Sequence, residues 1–362
     1  MVRTRSLWAG LAVLGLLVAG CTAQGGPGGS QSGESTLDAV KARGRLICGS
    51  NEQVPGFGFR QPDGTFAGFD IDYCKVIAAA VLGDASKVEY RPLVADQRFP
   101  VLQSGEVDLL SRNTTWIASR DGGQGAAFAT TTFYDGQAMM VRADSPYQRI
   151  EDMQDTSICV ATGTTTELNL ETRFAAAGIR YQPVPFQDVP TLQQAFQAQR
   201  CQGWTADRSQ LAGIRSGWPQ SQGGPPALRI LDETFSKEPL GPVVRDGDKA
   251  WFDAVNWAVI ATIQAEEFGI TSQNVDQMKT SKDPDVLRFL GQPVSREQGE
   301  APAIFDPKLG LPPDFAVKVI AQVGNYKEIY DRNVGEGTPL ELPRGLNALW
   351  TDGGLHYAPP YR

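Results

Sequence analysis

The chain has 362 residues, with 33 Lys+Arg against 41 Asp+Glu for a net charge of −8, and 41% of it is hydrophobic. The acid excess argues against nucleic acid as a partner and against charge-driven adsorption to anionic lipid. A small ligand stays open, because contacts to one are local.

Arg3 and Arg5 precede an apolar run from Leu7 to Gly20, 14 residues long. Crossing a bilayer takes roughly 20 apolar residues, so this run fits the core of a signal peptide instead. It closes on Leu17-Val18-Ala19-Gly20-Cys21. Small residues before a cysteine resemble a lipobox, in which the thiol is lipidated and the chain is cleaved before it. Residues 1–20 are therefore expected to be a lipoprotein signal peptide, and Cys21 the lipidation site. The mature protein is then extracytoplasmic and reaches the membrane through its N-terminal lipid. The alternative is an ordinary secretion signal with an incidental cysteine. Cleavage removes two arginines and no acids, taking the net charge from −8 to −10. Residues 21–36 carry almost no large apolar side chain and read as a flexible tether.

The remaining length exceeds one usual domain, so two lobes are expected. Leu46-Ile47-Cys48 reads as a short buried strand, Gln61 to Thr65 as a turn, and Phe66 to Asp70 as extended. A helix then starts, capped by Asp70 or Asp72. It carries Cys74, Ile77 and Val81 on one face and ends at Gly83. Val88 to Leu93 is a predicted strand, Phe99 to Ser104 a helix, and Val107 to Leu110 a strand followed by a polar loop from Ser111 to Thr115. Ala138 to Arg142 is a predicted strand that Ala143 to Pro146 breaks. A second unit follows with strands at 158–160, 181–185, 203–205 and 228–231, and helices at 167–177 and 191–199. Residues 241–248 read as a return strand and turn, and Trp251 to Glu267 as a long amphipathic helix. Strands alternating with helices indicate an α/β layered domain with a mainly parallel sheet. Ligands of such sheets lie at the carboxyl ends of strands.

This order places 37–143 in lobe 1, 144–240 in lobe 2, and 241–362 in a return to lobe 1 plus a C-terminal extension. Two crossings make a hinge that can close on a ligand. The extension is expected to pack on lobe 1 with Trp350 and Tyr357 as buried anchors; a docking role is the alternative. Apart from Cys21, the cysteines are Cys48, Cys74, Cys159 and Cys201. An even set in an exported chain favours two disulfides. Three pairings are possible. Cys48–Cys74 with Cys159–Cys201 is favoured, because each bond then stays within one lobe. No Cys-x-x-Cys occurs and His356 is the single histidine, which gives no zinc spacing. No cofactor is expected.

Three loops carry candidate chemistry. Ser111 to Arg120 puts Asn113 and Thr115 at a strand end, with Arg120 five residues further on. A carboxylate needs a planar two-pronged donor and neutral donors around it. Arg120 supplies the first, and Thr115 and Asn113 the second; otherwise this is a polar loop whose threonines cap the next helix. Gly163-Thr164-Thr165 precedes a helix whose free N–H groups suit an anion. Thr164 and Glu167 also fit a capping box, and both roles can hold at once. Asp207, after a buried strand, suits an ammonium group or a helix cap.

Gly68-Phe69-Asp70-Ile71-Asp72, Thr115 with Arg120, and Gly163-Thr164-Thr165 occur in the order seen in the family 3 periplasmic solute-binding proteins for polar amino acids. Ser104 to Asp108 with Ser111 to Trp116, Tyr134-Asp135-Gly136-Gln137, Gly163 to Leu170, Gln322 to Tyr326 and Arg344 to Trp350 resemble its general L-amino-acid-binding subclass. The resemblance runs from about Leu37 to the end, through Tyr357-Ala358-Pro359-Pro360, and the four body cysteines sit where that subclass has cysteines. It implies a two-lobed, type II periplasmic-binding-protein-like fold. It further implies a monomeric, non-enzymatic protein that binds a free L-amino acid and hands it to the permease subunits of an ABC importer. Arg120 would clamp the ligand carboxylate, helped by Thr115 and the Thr165 region. Asp207 would hold the ammonium, with Asn113 beside both. The position that usually stacks an aromatic on the ligand holds Val54, leaving Phe57 or Phe59 to take its place, or no stack. Glu52 could face a basic ligand or be a solvated loop acid. Two rival functions use the same scaffold: a dehydratase-like enzyme, and a receptor module for a membrane sensor.

Overall fold

A computed structural model of the chain describes residues 35–295 and 300–362. The signal peptide, Cys21 and nearly all of the tether lie outside the described residues. The described residues form one compact unit.

The order begins at Ser35, whose hydroxyl caps helix α1 (Thr36–Arg43). Strand β1 (Leu46–Ser50) leads to three short strands, β2 (Gln53–Val54), β3 (Gly58–Arg60) and β4 (Phe66–Ala67), which form a small separate sheet. Helix α2 (Phe69–Leu82) follows. It starts two to four residues earlier than the acids suggest, because its N-cap is Gly68, with no side-chain cap bond. A Cβ at Gly68 would meet the carbonyl oxygen of Phe57 at 2.2 Å, and φ is +130°, so only glycine fits. Asp70 and Asp72 are spent elsewhere: Asp70 accepts the Asn113 N–H, and Asp72 pairs with Lys75 and Arg332. Strand β5 (Val88–Pro92), helix α3 (Arg98–Ser104), strand β6 (Leu109–Leu110), helix α4 (Ala118–Gly123) and strand β7 (Ala126–Phe128) complete the outbound part of lobe 1.

The chain crosses on strand β8 (Phe133–Asp135). Lobe 2 holds β9 (Gln137–Arg142), β10 (Thr156–Ala161), α5 (Thr165–Ala176), β11 (Tyr181–Phe186), α6 (Val189–Gln197), β12 (Gly203–Asp207), α7 (Arg208–Ser216) and β13 (Leu228–Ile230). The return runs on β14 (Glu238–Leu240), antiparallel to β8, and reaches β15 (Val243–Arg245). The first sheet has the order β5-β1-β6-β15-β7 and the second β11-β10-β12-β9-β13. In each, three parallel strands are joined by two that run against them or their neighbours.

One expected boundary is corrected here. The strand predicted at 138–142 exists, but it pairs with β12 and β13, so it belongs to lobe 2. The exit from lobe 1 therefore lies at 133–136, not near 143. Its partners are more than 60 residues away in the chain, and local periodicity carries no trace of them.

Helix α2 is buried on nearly every side, as suits a helix enclosed by its neighbours. It packs among β1, the long helix α8 (Lys249–Glu267) and the C-terminal extension. The extension adds short helices α9 (Val275–Met278) and α10 (Pro284–Phe289), then α11 (Phe315–Val323) and α12 (Tyr326–Asn333). Phe315, Ile320, Tyr326, Tyr330 and Tyr361 anchor it in the lobe 1 core. Trp350 and Tyr357 do not: they are 54% and 61% exposed, and they pack on each other in an edge-to-face pair. The apolar slots on lobe 1 are filled by the neighbouring Leu349 and Ala358.

The extension also grips the hinge. Asn347 accepts the Tyr134 N–H at 2.7 Å and donates to its carbonyl at 3.1 Å. The Tyr326 hydroxyl donates to the Thr132 carbonyl at 2.8 Å, and His356 packs on the rings of Tyr134 and Tyr326. The favoured cysteine pairing is present, with Cα separations of 6.1 Å for Cys48–Cys74 and 5.6 Å for Cys159–Cys201. The first bond ties strand β1 to helix α2, and the second ties strand β10 to the loop before β12, each within its own lobe.

Candidate functional site

Strands β1, β6, β10 and β12 point their carboxyl ends into one cleft between the lobes, where such sheets hold ligands. The cleft encloses a cavity of about 140 Å³, room for a small organic molecule but not for a folded partner.

Lobe 1 contributes the loop after β6. Ser111 donates to the Asp70 carbonyl at 2.9 Å, and the Asn113 N–H to the Asp70 carboxyl at 2.7 Å. These bonds hold Asn113 at φ +28°, a strained conformation that asparagine tolerates better than most residues. Its side-chain amide faces the other lobe, donating to Asp207 at 3.2 Å, and its oxygen accepts from Asn51 at 2.6 Å. Trp116 N–H bonds the Pro239 carbonyl at 2.8 Å, which fastens this loop to the hinge strand β14.

Arg120 comes from the first turn of α4. It is buried, donates Nη1 to the Thr115 carbonyl at 2.9 Å, and lies 5.5 Å over the Phe99 ring. Burial pushes its pKa down, opposed by the charges of Glu238 and Asp207.

Lobe 2 contributes the start of α5 and the end of β12. Thr164 caps α5 by accepting the Glu167 N–H at 3.1 Å. Thr165 donates to Glu238 at 2.7 Å and meets the Thr115 hydroxyl at 3.2 Å across the cleft. Asp207 is buried, and its pKa is raised well above the usual carboxylate range. Burial is the main cause, with Asp135 and Glu238 adding to it and the Asn113 hydrogen bond and Arg98 opposing it. Asp135 is pushed up to about 6, again by burial first, with hydrogen bonds from Ser209 and Gly136 opposing.

The lobes touch directly. Besides Thr115–Thr165 and Asn113–Asp207, Arg98 donates Nη2 to the Gly163 carbonyl at 3.0 Å. A Cβ on Gly213 of α7 would meet the Pro55 carbonyl oxygen, on lobe 1, at 2.4 Å. The cleft is shut.

Of the residues singled out from sequence, Arg120, Asp207, Thr115, Asn113, Thr164, Thr165 and Glu52 line this cavity. Phe57 does not. It is fully buried in lobe 1, against Phe69 and Phe133, and its place at the cavity wall is held by Val54. Phe59 lies on β3, 40% exposed, also away from the cavity. Gly163 is not a free donor: its N–H bonds Glu167 at 3.0 Å. Glu52 sits at the rim, 4.0 Å from Arg60. Sequence reasoning missed Arg98, Arg112, Asn51, Trp204 and Gln210, all in the wall. Arg98 stands beside the apolar face of α3, and an arginine there was the available signal.

Buried acids make stability depend on pH. Asp70 is pushed up to about 7, chiefly by burial, with the Asn113 hydrogen bond and Arg112 opposing. A carboxyl with a raised folded pKa keeps its proton in the native state while the unfolded chain releases it near pH 4. Its stabilising contribution is complete below the unfolded pKa and is lost as pH rises through about 7. Asp135 acts the same way up to about 6. His356 opposes this, since burial lowers its pKa to about 3 and costs stability as pH falls below 6.5, so the Asp70 share is expected as a gain of roughly 1–3 kcal/mol at pH 5 over pH 7.5 in ligand-free wild type relative to Asp70→Asn. Asp70→Asn should remove that gain in a calorimetric pH series, and an unchanged slope would show that Asp70 is ionised in the fold.

Comparison with known proteins follows the same lines. The profile of the bacterial extracellular solute-binding proteins, family 3, matches residues 46–273. The general L-amino acid-binding periplasmic protein AapJ of Rhizobium johnstonii is 48% identical over 335 residues, covering 92% of this chain and 95% of that one. The glutamate/glutamine/aspartate/asparagine-binding protein BztA of Rhodobacter capsulatus is 44% identical over 359 residues, 99% of each chain. A solved periplasmic binding protein from Brucella ovis, with glutathione bound, superposes with a TM-score of 0.84 at 44% identity, covering 91% of this chain and 99% of that one.

Proposed function

Because the chain belongs to the bacterial extracellular solute-binding proteins, family 3, we propose that it captures a free L-amino acid between its lobes and delivers it to an ABC importer. The observation that carries this reading is the pairing across the cleft of a buried cation, Arg120, with a buried acid, Asp207. An α-amino acid is a zwitterion that answers both. Its carboxylate meets Arg120, with the Thr115 and Thr165 hydroxyls and the start of α5 beside it. Its ammonium meets Asp207, with the Asn113 amide oriented between the two. Binding the ammonium also draws the proton off Asp207, since a neighbouring cation favours the charged form.

The names of the relatives, all binding proteins, support capture over turnover. His356, the usual kind of general base, is buried in the extension against Tyr134 and Tyr326, away from the cavity. The lipid on Cys21 belongs to this proposal as well: it would hold the protein at the outer membrane face, working as a monomer beside its permease.

The test is a thermal-shift screen with the twenty L-amino acids, and with glutathione because the Brucella ovis relative holds it. A ligand at 100 times its Kd stabilises by about 2.7 kcal/mol, a shift of several degrees. We expect at least one amino acid to give it. A flat panel with folded protein would sink the reading.

A further inference from the structure

Three arginines stand in the wall of the cavity, where an α-carboxylate needs a single clamp. Arg98 and Arg112 line it beside Arg120, and all three are at least 91% buried, with exposures of 2%, 9% and 5%. Among the described residues none of the three has a carboxylate within ion-pair distance. Burying a guanidinium with no carboxylate in contact is expensive, and a bound anion would offset part of that cost.

The protein's own acids offset these charges only from beyond ion-pair distance: Glu238 and Asp207 act on Arg120, and Asp207 and the exposed Asp96 on Arg98 and Arg112, with Asp70 acting on Arg112 as well. Asp188 caps α6, accepting the Thr191 N–H at 2.8 Å. Glu52 sits at the rim facing Arg60. Asp70 is engaged with the Asn113 N–H, and burial keeps much of it protonated near neutral pH. Asp207 is claimed by Asn113 and, in the reading above, by the ligand ammonium.

The two extra arginines are held differently. Arg98 gives its Nε to the Ala95 carbonyl at 2.8 Å, Nη1 to the Thr114 hydroxyl at 3.3 Å and Nη2 to the Gly163 carbonyl at 3.0 Å. These acceptors fix the group but carry no charge of their own, and only Asp207 and Asp96 oppose its charge, from beyond ion-pair distance. Arg112 gives only Nε, to the Leu93 carbonyl at 2.7 Å. Its Nη1 and Nη2 donate to no protein group among the described residues. Arg98 and Arg120 lie 5.8 and 5.5 Å from the centre of the same Phe99 ring, so the three cations form one cluster. Burial lowers the Arg98 and Arg112 pKa values first, and repulsion within the cluster adds to it, opposed by Asp207 and Asp96 and, for Arg112, Asp70.

We propose that Arg112, backed by Arg98, is a second anion subsite, and that the ligand is an amino acid with a second carboxylate on its side chain. This rests on the amino-acid reading above. Two unspent N–H donors on one planar group match a carboxylate in two-pronged geometry. An amide would satisfy some of the donors but none of the charge.

The experiment is calorimetry on the mature chain with L-glutamate, L-glutamine, L-aspartate and L-asparagine, in wild type, Arg112→Met and Arg112→Lys. In wild type an acid should bind roughly 10- to 100-fold tighter than its own amide. Arg112→Met should collapse that ratio towards one, and Arg112→Lys should keep part of it. Wild type binding the amides as tightly as the acids overturns the second subsite and leaves amino-acid capture standing. So does an Arg112→Met variant that keeps the acid-to-amide ratio. Folded wild type that binds no amino acid overturns both.

Discussion

Arg120→Ala is expected to weaken amino-acid binding roughly 30- to 5000-fold, the equivalent of about 2–5 kcal/mol. The ligand-free variant should melt within about 3 °C of wild type. The large loss follows from leaving a ligand carboxylate in a shut cleft without its charged partner. The small stability change follows from the residue's surroundings. Arg120 makes one hydrogen bond to protein, at the Thr115 carbonyl, and no ion pair among the described residues. Deleting it removes about 1 kcal/mol of hydrogen bonding and also relieves a buried charge. Calorimetry with the ligand found in the amino-acid screen, together with a melt of the free protein, reads both quantities. A folded Arg120→Ala protein with wild-type affinity would show that the carboxylate goes elsewhere.

Gly213→Ala is expected to weaken binding roughly 5- to 150-fold for a different reason, since Gly213 does not line the cavity. Its Cβ would sit 2.4 Å from the Pro55 carbonyl oxygen of the opposite lobe, and a backbone atom there yields little. Overpacking of that kind costs about 1–3 kcal/mol, and here it falls only on the shut form. Within α7 itself, alanine improves on glycine by about 1 kcal/mol. The free protein should therefore melt at or slightly above the wild-type temperature while its ligand affinity drops. Small-angle scattering with saturating ligand separates the cases. A variant that compacts as wild type does, at wild-type affinity, would mean the Pro55 turn moves aside.

Much of the fold was readable because its signals are local. The alternation of strands and helices, the lobe-by-lobe cysteines and the loops at strand ends each depend on a few consecutive residues. Asn113 and Thr115 share one loop, Arg120 follows in the helix after it, and Asp207 ends its strand, so these residues of the cavity wall were legible too. Failures came where partners are far apart in the chain. The strand at 137–142 looks the same whichever sheet it joins, and its antiparallel pairing with Gly203–Asp207 decides the lobe. Phe57 reads as a free loop aromatic until Phe69 and Phe133 close over it. Trp350 and Tyr357 were read as anchors on size alone, whereas Leu349 and Ala358 beside them take the buried positions. Arg112 lay inside the most informative loop, yet nothing local shows that it spends only its Nε on the protein among the described residues.

The grip of the C-terminal extension on Tyr134 has a mechanical consequence. One leaf of the joint is bracketed as far as residue 134, so the pin lies just beyond, at Asp135, Gly136 and the facing Glu238. Gly136 suits that place, since a Cβ there would strike Thr234 at 2.2 Å. Groups on a pin hardly travel when the leaf swings. Asp135 and Glu238 would thus hardly move, while Arg120 and Asp207, which grip the ligand in the proposed reading, sit out on the lever arms. Loosening the bracket, by removing the Asn347 amide, would lengthen the pin and blunt the stroke without touching a single group that meets the ligand.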